Sequence, residues 1–322
     1  MSLLTRTRRP RTRVDEPARI PQRGGGKLGY WLYFIPGALL VSVVIFYPIV
    51  RNLRLSLFHW RGGRADEHFA GLENWTKLFH DAAFLQSFTN IFLIIVAMVI
   101  IPTLVGLVVA AALFDVVGRR FGGKVSSLLR ATYYLPQILP IAVAGVMFSW
   151  ILKPNSDGVL NQFLSTITGN EVTVNWLGGQ YSTAIASTMV LMIWIQIGYP
   201  IVIFMAALQR VEPELYEAAE LDGASWFQRF RAITMPMIRP EIFVVALTTT
   251  IAALKVFAPI FILTKGGPSK STYVPSFYAY QEFVKGTDKG YAATIASAIT
   301  IVVFIVAVIF IKAQLRSERK DA

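Results

Sequence analysis

Six apolar stretches, at 29–50, 88–114, 128–152, 182–208, 241–264 and 291–312, constrain this chain more than any other feature. Each is long enough to carry a helix, rising ~1.5 Å per residue, across a hydrocarbon core of ~30 Å. Hydrocarbon offers no water to bond a free peptide group, so a spanning segment is either a helix or a strand of a closed barrel. The alternation of apolar and polar residues that a barrel needs is absent. The expected fold is an all-α membrane protein with six transmembrane helices. Composition agrees: 54% of residues are hydrophobic and 16% charged, against about 25% charged in soluble domains. That excludes an ordinary soluble enzyme, a disordered chain and a secreted disulfide scaffold.

Charge gives the expected orientation. With the N-terminus in the cytoplasm, the regions 1–28, 115–130, 209–240 and 312–322 hold twenty Lys and Arg, and 51–87, 153–181 and 265–290 hold ten. Positive residues accumulate on the cytoplasmic side, so both termini are expected there. Arg51 and Arg54 run against this locally. The net charge of +12 is read as topological, with the lipid bilayer and not nucleic acid as the partner. The first stretch exceeds the apolar core of a signal peptide and no small-residue cleavage pattern follows it. The expected organisation is a basic disordered arm at 1–28, a permeating six-helix domain at 29–312 and a tail at 313–322. The six-helix domain includes a long outer loop at 51–87 and a cytoplasmic loop at 209–240.

No Asp or Glu falls in the interior of a span, Asp115 and Glu241 lying at ends; Lys255 is the one deep charge. Ion-coupled carriers place carboxylates there, so a self-powered transporter is disfavoured. The run Gly118 to Lys124 reads G-x-x-x-x-G-K, but Val125 stands where a nucleotide loop needs Ser or Thr for magnesium. There is no cysteine, the three histidines (His59, His68, His80) share one inter-span stretch, and no catalytic motif is present. The chain is therefore expected not to be an enzyme and to draw its energy from another polypeptide.

Residues 209–240 are the most informative. Pro213 suits a first helical position and Glu214 and Glu217 complement the helix dipole. Gly223 suits a left-handed helix end, Ser225 and Gln228 a capping box, and Pro236 a terminator or bend. Two short helices at an angle are expected. Ala218 and Ala219 permit close approach by another backbone, and Leu215, Tyr216, Trp226, Phe227 and Phe230 supply apolar surface for a protein partner. The same residues also fit an amphipathic pair lying on its own bundle or on lipid.

The loop resembles the EAA signature of permease subunits of binding-protein-dependent ABC importers. Glu217-Ala218-Ala219, Gly223 and Ile233-Thr234-Met235-Pro236 keep every spacing of that signature, with Met235 in place of Leu. Other stretches are similar to the sugar-uptake branch of maltose and glycerol-phosphate type: Tyr47-Pro48, Gly71 to Trp75, Gly198-Tyr199-Pro200, and Phe257 through Leu263-Thr264-Lys265-Gly266-Gly267-Pro268. Two departures are Ala258, where relatives often carry an acidic residue, and Lys265, where they carry Gly.

The resemblance implies a type I importer (MetI-like) permease fold, in the cytoplasmic membrane of a prokaryote, that moves a sugar or sugar derivative by alternating access. It implies a dimeric ATPase holding ATP and magnesium, a second homologous permease, and an extracellular or periplasmic solute-binding protein. Glu217, Ala218, Ala219, Gly223, Ile233 and Pro236 would form the ATPase-coupling element. Tyr199, Thr249 and Ala253 match positions that touch sugar in maltose-type relatives; with Gln196, Gly198 and Lys255 they form the expected substrate path. An importer of amino acids or glycerol phosphodiesters, or a self-contained carrier, is the alternative.

Overall fold

The computed structural model describes residues 27–321, so nearly all of the basic arm expected at 1–28 lies outside the described residues. The chain divides into two compact units, Met1–Pro48 and Ile49–Ala322. In the first, the helix Lys27–Val41 passes into a π-helical turn at Ser42–Phe46, and every side chain described from Leu32 onward is exposed. An apolar helix with no cover of its own is stable only against hydrocarbon or another chain.

Among the described residues, four helices are long and apolar enough to cross a membrane: Leu32–Leu55, Ala82–Phe114, Thr183–Leu208 and Lys289–Arg316. In the most apolar window of Ala82–Phe114 only 33% of residues are buried. Phe92, Ile100, Ile101, Leu104 and Val108 are exposed along it. Two bent pairs raise the number of crossings to as many as six. The last helix, Lys289–Asp321, runs without a break through the segment expected to be a tail.

Two expected spans are not continuous helices. The one expected at 128–152 is the pair Ser127–Ile138 and Ile141–Ile151, bent by 91°. Pro140, at the break, has no N–H to give the Pro136 carbonyl, and its ring excludes that carbonyl from a helical turn. The one expected at 241–264 stops at Leu254, and a π-helical turn resumes at Ile260–Thr264. Pro259 explains this: in an unbroken helix its ring would strike the carbonyl of Lys255, four residues back.

Within the second unit, the Ala82–Ala111 helix packs parallel to the Tyr181–Gln196 and Gly198–Leu208 helices. One buried cluster joins Leu107, Ala110 and Leu113 to Ile201, Phe204 and Leu208; another joins Ile91, Ile94 and Met98 to Ile185, Met192 and Ala253. Gly106 lies so close to Pro200 that a Cβ on it would stand 2.5 Å from the proline Cβ.

The end opposite the 209–240 loop is fastened by polar groups. The expected loop at 51–87 contains a two-residue strand pair, Phe58–His59 with His68–Phe69, and the helix Glu73–His80. Asp81 caps the following helix through Ala83 N–H at 2.8 Å, and its other oxygen accepts from Tyr278 at 2.5 Å and Tyr291 at 2.6 Å. Burial pushes the Asp81 carboxyl up, but these donors outweigh it and hold its pKa below the usual carboxylate value.

His59 lies between two carboxylates. Its Nδ1–H donates to Asp288 at 2.5 Å and its Nε2–H to Glu73 at 3.2 Å, which keeps the ring cationic. These bonds, the one to Asp288 foremost, raise its pKa above 6.5. A raised folded-state value stabilises fully below the unfolded pKa, and that contribution is lost as pH rises through the raised value. The thermal midpoint of the purified protein should therefore fall between about pH 6 and pH 9, and the fall should be smaller in His59→Gln.

Candidate functional site

The 209–240 loop is two arms tied at three levels. At the base, Arg210 pairs with Glu241, joining the end of one membrane helix to the start of the next. Midway, the Tyr216 hydroxyl meets Thr234 Oγ1 at 3.1 Å, both residues being buried. Near the tip, Glu220 pairs with Arg229 at 3.0 Å.

The first arm is the helix Pro213–Leu221, with the proline in its first turn. Its end closes through Ala224 N–H to Ala219 C=O at 2.9 Å. That closure requires a left-handed residue, and Gly223 supplies it at φ +76°. The second arm starts at a capping box: Gln228 N–H donates to Ser225 Oγ at 3.4 Å and Ser225 N–H to Gln228 Oε1 at 2.7 Å. It then runs through Trp226–Arg229, a π-helical turn at Phe230–Thr234, and Met235–Met237, where Ile238 ends it. The next helix, Arg239–Leu254, leaves at 70°.

Both arms are seated on the membrane helices. Tyr216 and Ile238 belong to the buried cluster of Leu107, Phe204 and Leu208, and Phe230 and Ile233 pack against it. Tyr216 is therefore a core residue and not surface for a partner. Trp226 and Phe230 are half-buried and stack on each other at 5.2 Å. The exposed face consists of Leu215, Glu217, Ala218, Leu221, Gly223 and Phe227, with Ala219 half-buried beside them. Leu221 is 90% exposed between two carboxylates. Sequence reasoning passed over it, although an apolar residue flanked by Glu220 and Asp222 at a helix end was a readable signal. Pro236 is exposed on the second arm, away from the tip.

A second feature lies within the membrane helices. A cavity of about 370 Å³ is lined by Met98, Ile141, Met192, Gln196, Lys255 and Phe257, among others. Both broken spans meet it: Ile141 follows the break at Pro140, and Lys255 begins the break before Pro259. Irregular backbone at membrane depth is tolerated where it lines such a cavity.

Of the residues expected in a substrate path, Gln196 and Lys255 line this cavity. Thr249 is buried behind it and accepts a hydrogen bond from Gln196 Nε2 at 3.2 Å. Ala253 is fully buried in the core. Tyr199 does not line the cavity; its hydroxyl meets Thr248 at 3.1 Å. Gly198 packs against the neighbouring helix, where a Cβ would stand 2.4 Å from the Tyr133 carbonyl oxygen. Thr248 and Thr250 donate to carbonyls of their own helix.

Comparison with known proteins places this geometry. Residues 103–320 match the family described as binding-protein-dependent transport system inner membrane component. The probable ABC transporter permease protein YurN of Bacillus subtilis is 35% identical over 84% of this chain and 91% of its own length. The lactose transport system permease protein LacF of Rhizobium radiobacter is 31% identical over 90% of this chain and 94% of its own. In a crystal structure of a bacterial ABC transporter that imports the acidic polysaccharide alginate, one chain matches the fold with a TM-score of 0.76. It is 21% identical, covering 90% of this chain and 96% of that one.

Two substitutions test the packing. Tyr216→Phe leaves a buried Thr234 hydroxyl without its cross-loop partner and should cost about 1 kcal/mol, read as a lower thermal midpoint. Gly198→Ala forces a methyl against backbone that cannot yield and should cost more, roughly 1–3 kcal/mol, read in the same melts and in lower yield of folded protein.

Proposed function

This chain belongs to the family of binding-protein-dependent transport system inner membrane components, and we propose that it carries a sugar or sugar derivative through the membrane as one permease subunit of an ATP-driven importer. The sugar-permease relatives support the solute class, the lactose permease LacF among them. Six crossings with both termini in the cytoplasm complete the topology: the bent pair Ser127–Ile138 and Ile141–Ile151 counts as one span, Arg239–Leu254 with Ile260–Thr264 as another, and the twofold excess of Lys and Arg falls on the 209–240 side.

The observation that carries the mechanism is the build of the 209–240 loop. Its tip exposes Leu215, Glu217, Ala218, Leu221 and Phe227, and its two arms are seated in the cluster that holds the membrane helices together. An apolar, small-residue face rimmed by carboxylates suits a groove on an ATPase subunit. Glu217 faces a basic or polar group there, Ala218 and Ala219 admit the groove's backbone, and Gly223 sets the angle between the arms. Ile233 holds the second arm to the bundle, and Pro236 lies on that arm's exposed side. Three cross-ties make the loop stiff, so a push on its tip is delivered to Leu208 and Arg239, the ends of two membrane helices.

ATP and magnesium sit in the ATPase, and the hydrolysis belongs to it. Two ATPase grooves need two such loops, so a second, homologous permease pairs with this one. A solute-binding protein delivers the sugar from the far side. The cavity where both broken spans meet, with Gln196 and Lys255 on its wall, serves as the transit site.

Glu217→Lys and Gly223→Pro should leave the protein inserted and assembled while solute-stimulated ATP hydrolysis by the reconstituted complex falls by at least roughly tenfold, the effect of losing ~1.4 kcal/mol of coupling. Unchanged stimulation in both would remove the loop from the mechanism.

A further inference from the structure

We propose that the transit cavity takes a saccharide bearing an anionic group, a carboxylate, sulfate or phosphate, with Lys255 as its counter-charge. The proposal rests on the permease reading and specifies its solute. Lys255 is exposed to the cavity at the break between Leu254 and Pro259. Among the described residues no carboxylate pairs with its ammonium. No Asp or Glu is found among the cavity's lining residues, whose other members are apolar apart from Gln196.

Open to water, such a cation is solvated. Alternating access closes the cavity around the solute and expels that water, and an ammonium left unpaired in an apolar enclosure is strongly unfavourable. A neutral sugar brings hydroxyls but no compensating charge. An anionic one brings the missing partner, so the site discriminates through the penalty on the wrong solute as well as the attraction for the right one. The rest of the wall suits a sugar. Gln196 Nε2 is committed to Thr249, which leaves Gln196 Oε1 free of that bond to accept from a hydroxyl. Met98, Met192 and Phe257 give an apolar surface for C–H faces, and about 370 Å³ is within the ~300–1,000 Å³ of small-molecule sites.

The test uses the complete importer, purified through this chain with its ATPase, second permease and binding protein, and reconstituted in liposomes. Solute-stimulated ATP hydrolysis is measured with galacturonate, digalacturonate, glucose 6-sulfate and glucose 6-phosphate. The neutral set is galactose, lactose, maltose and trehalose. A member of the charged set should stimulate and the neutral set should not. Lys255→Gln should then raise the half-saturating concentration by roughly tenfold or more, the loss of one charge-assisted contact, while Lys255→Arg stays close to wild type and both variants keep their partners. Stimulation by neutral sugars alone overturns the inference and leaves the permease reading standing. Stimulation by neither set overturns both the inference and the sugar assignment. A Lys255→Gln chain that no longer co-purifies with the second permease also overturns the inference, because the cation would then be pairing with that subunit.

Discussion

A peptide group in hydrocarbon has nothing to bond but the chain itself, and most of this structure follows from that. The helices Ala82–Phe114, Thr183–Leu208 and Lys289–Arg316 are long because every residue carried across must close its own hydrogen bond. Prolines 140 and 259 each break that pattern, and a broken turn cannot face lipid. The two breaks instead face one cavity, where Ile141, Gln196 and Lys255 meet. The break before Pro259 is what places a cation, Lys255, on that cavity's wall with Gln196 of an unbroken neighbour.

At the other functional element the constraint is mechanical. A loop that only lay on the bundle would absorb a push by bending. Here Tyr216 and Ile238 are inserted among Leu107, Phe204 and Leu208, and Arg210 with Glu241 closes the base. The loop and the helix ends are thus fastened together, as the proposed coupling would use. The exposed tip carries Leu215, Leu221 and Phe227, the apolar surface on which the proposed ATPase contact rests.

Local features were readable in the chain. The capping box at Ser225, the left-handed Gly223, Pro213 at the start of its helix and the apolar runs all form as their residue types demand, since each depends on neighbours within a few positions. Pro140 and Pro259 were equally visible, yet the spans containing them were expected to be continuous. A run of apolar residues reports solvent preference, not helical continuity. Among the path residues, Gln196 and Lys255 reach the cavity whereas Gly198 and Ala253 serve packing, a distinction that polarity and spacing along one helix do not carry.

The amino-acid order by itself determined a helical, multi-spanning chain and a bent 209–240 loop of particular spacing. Those are consequences of hydropathy and of short-range backbone chemistry. Only the tertiary structure decided that Tyr216 is anchor and Leu221 is surface, that Arg210 finds Glu241, and that two broken spans share one cavity. These depend on residues from distant parts of the chain meeting in space, and which side of a helix meets which neighbour is fixed by packing the whole bundle at once.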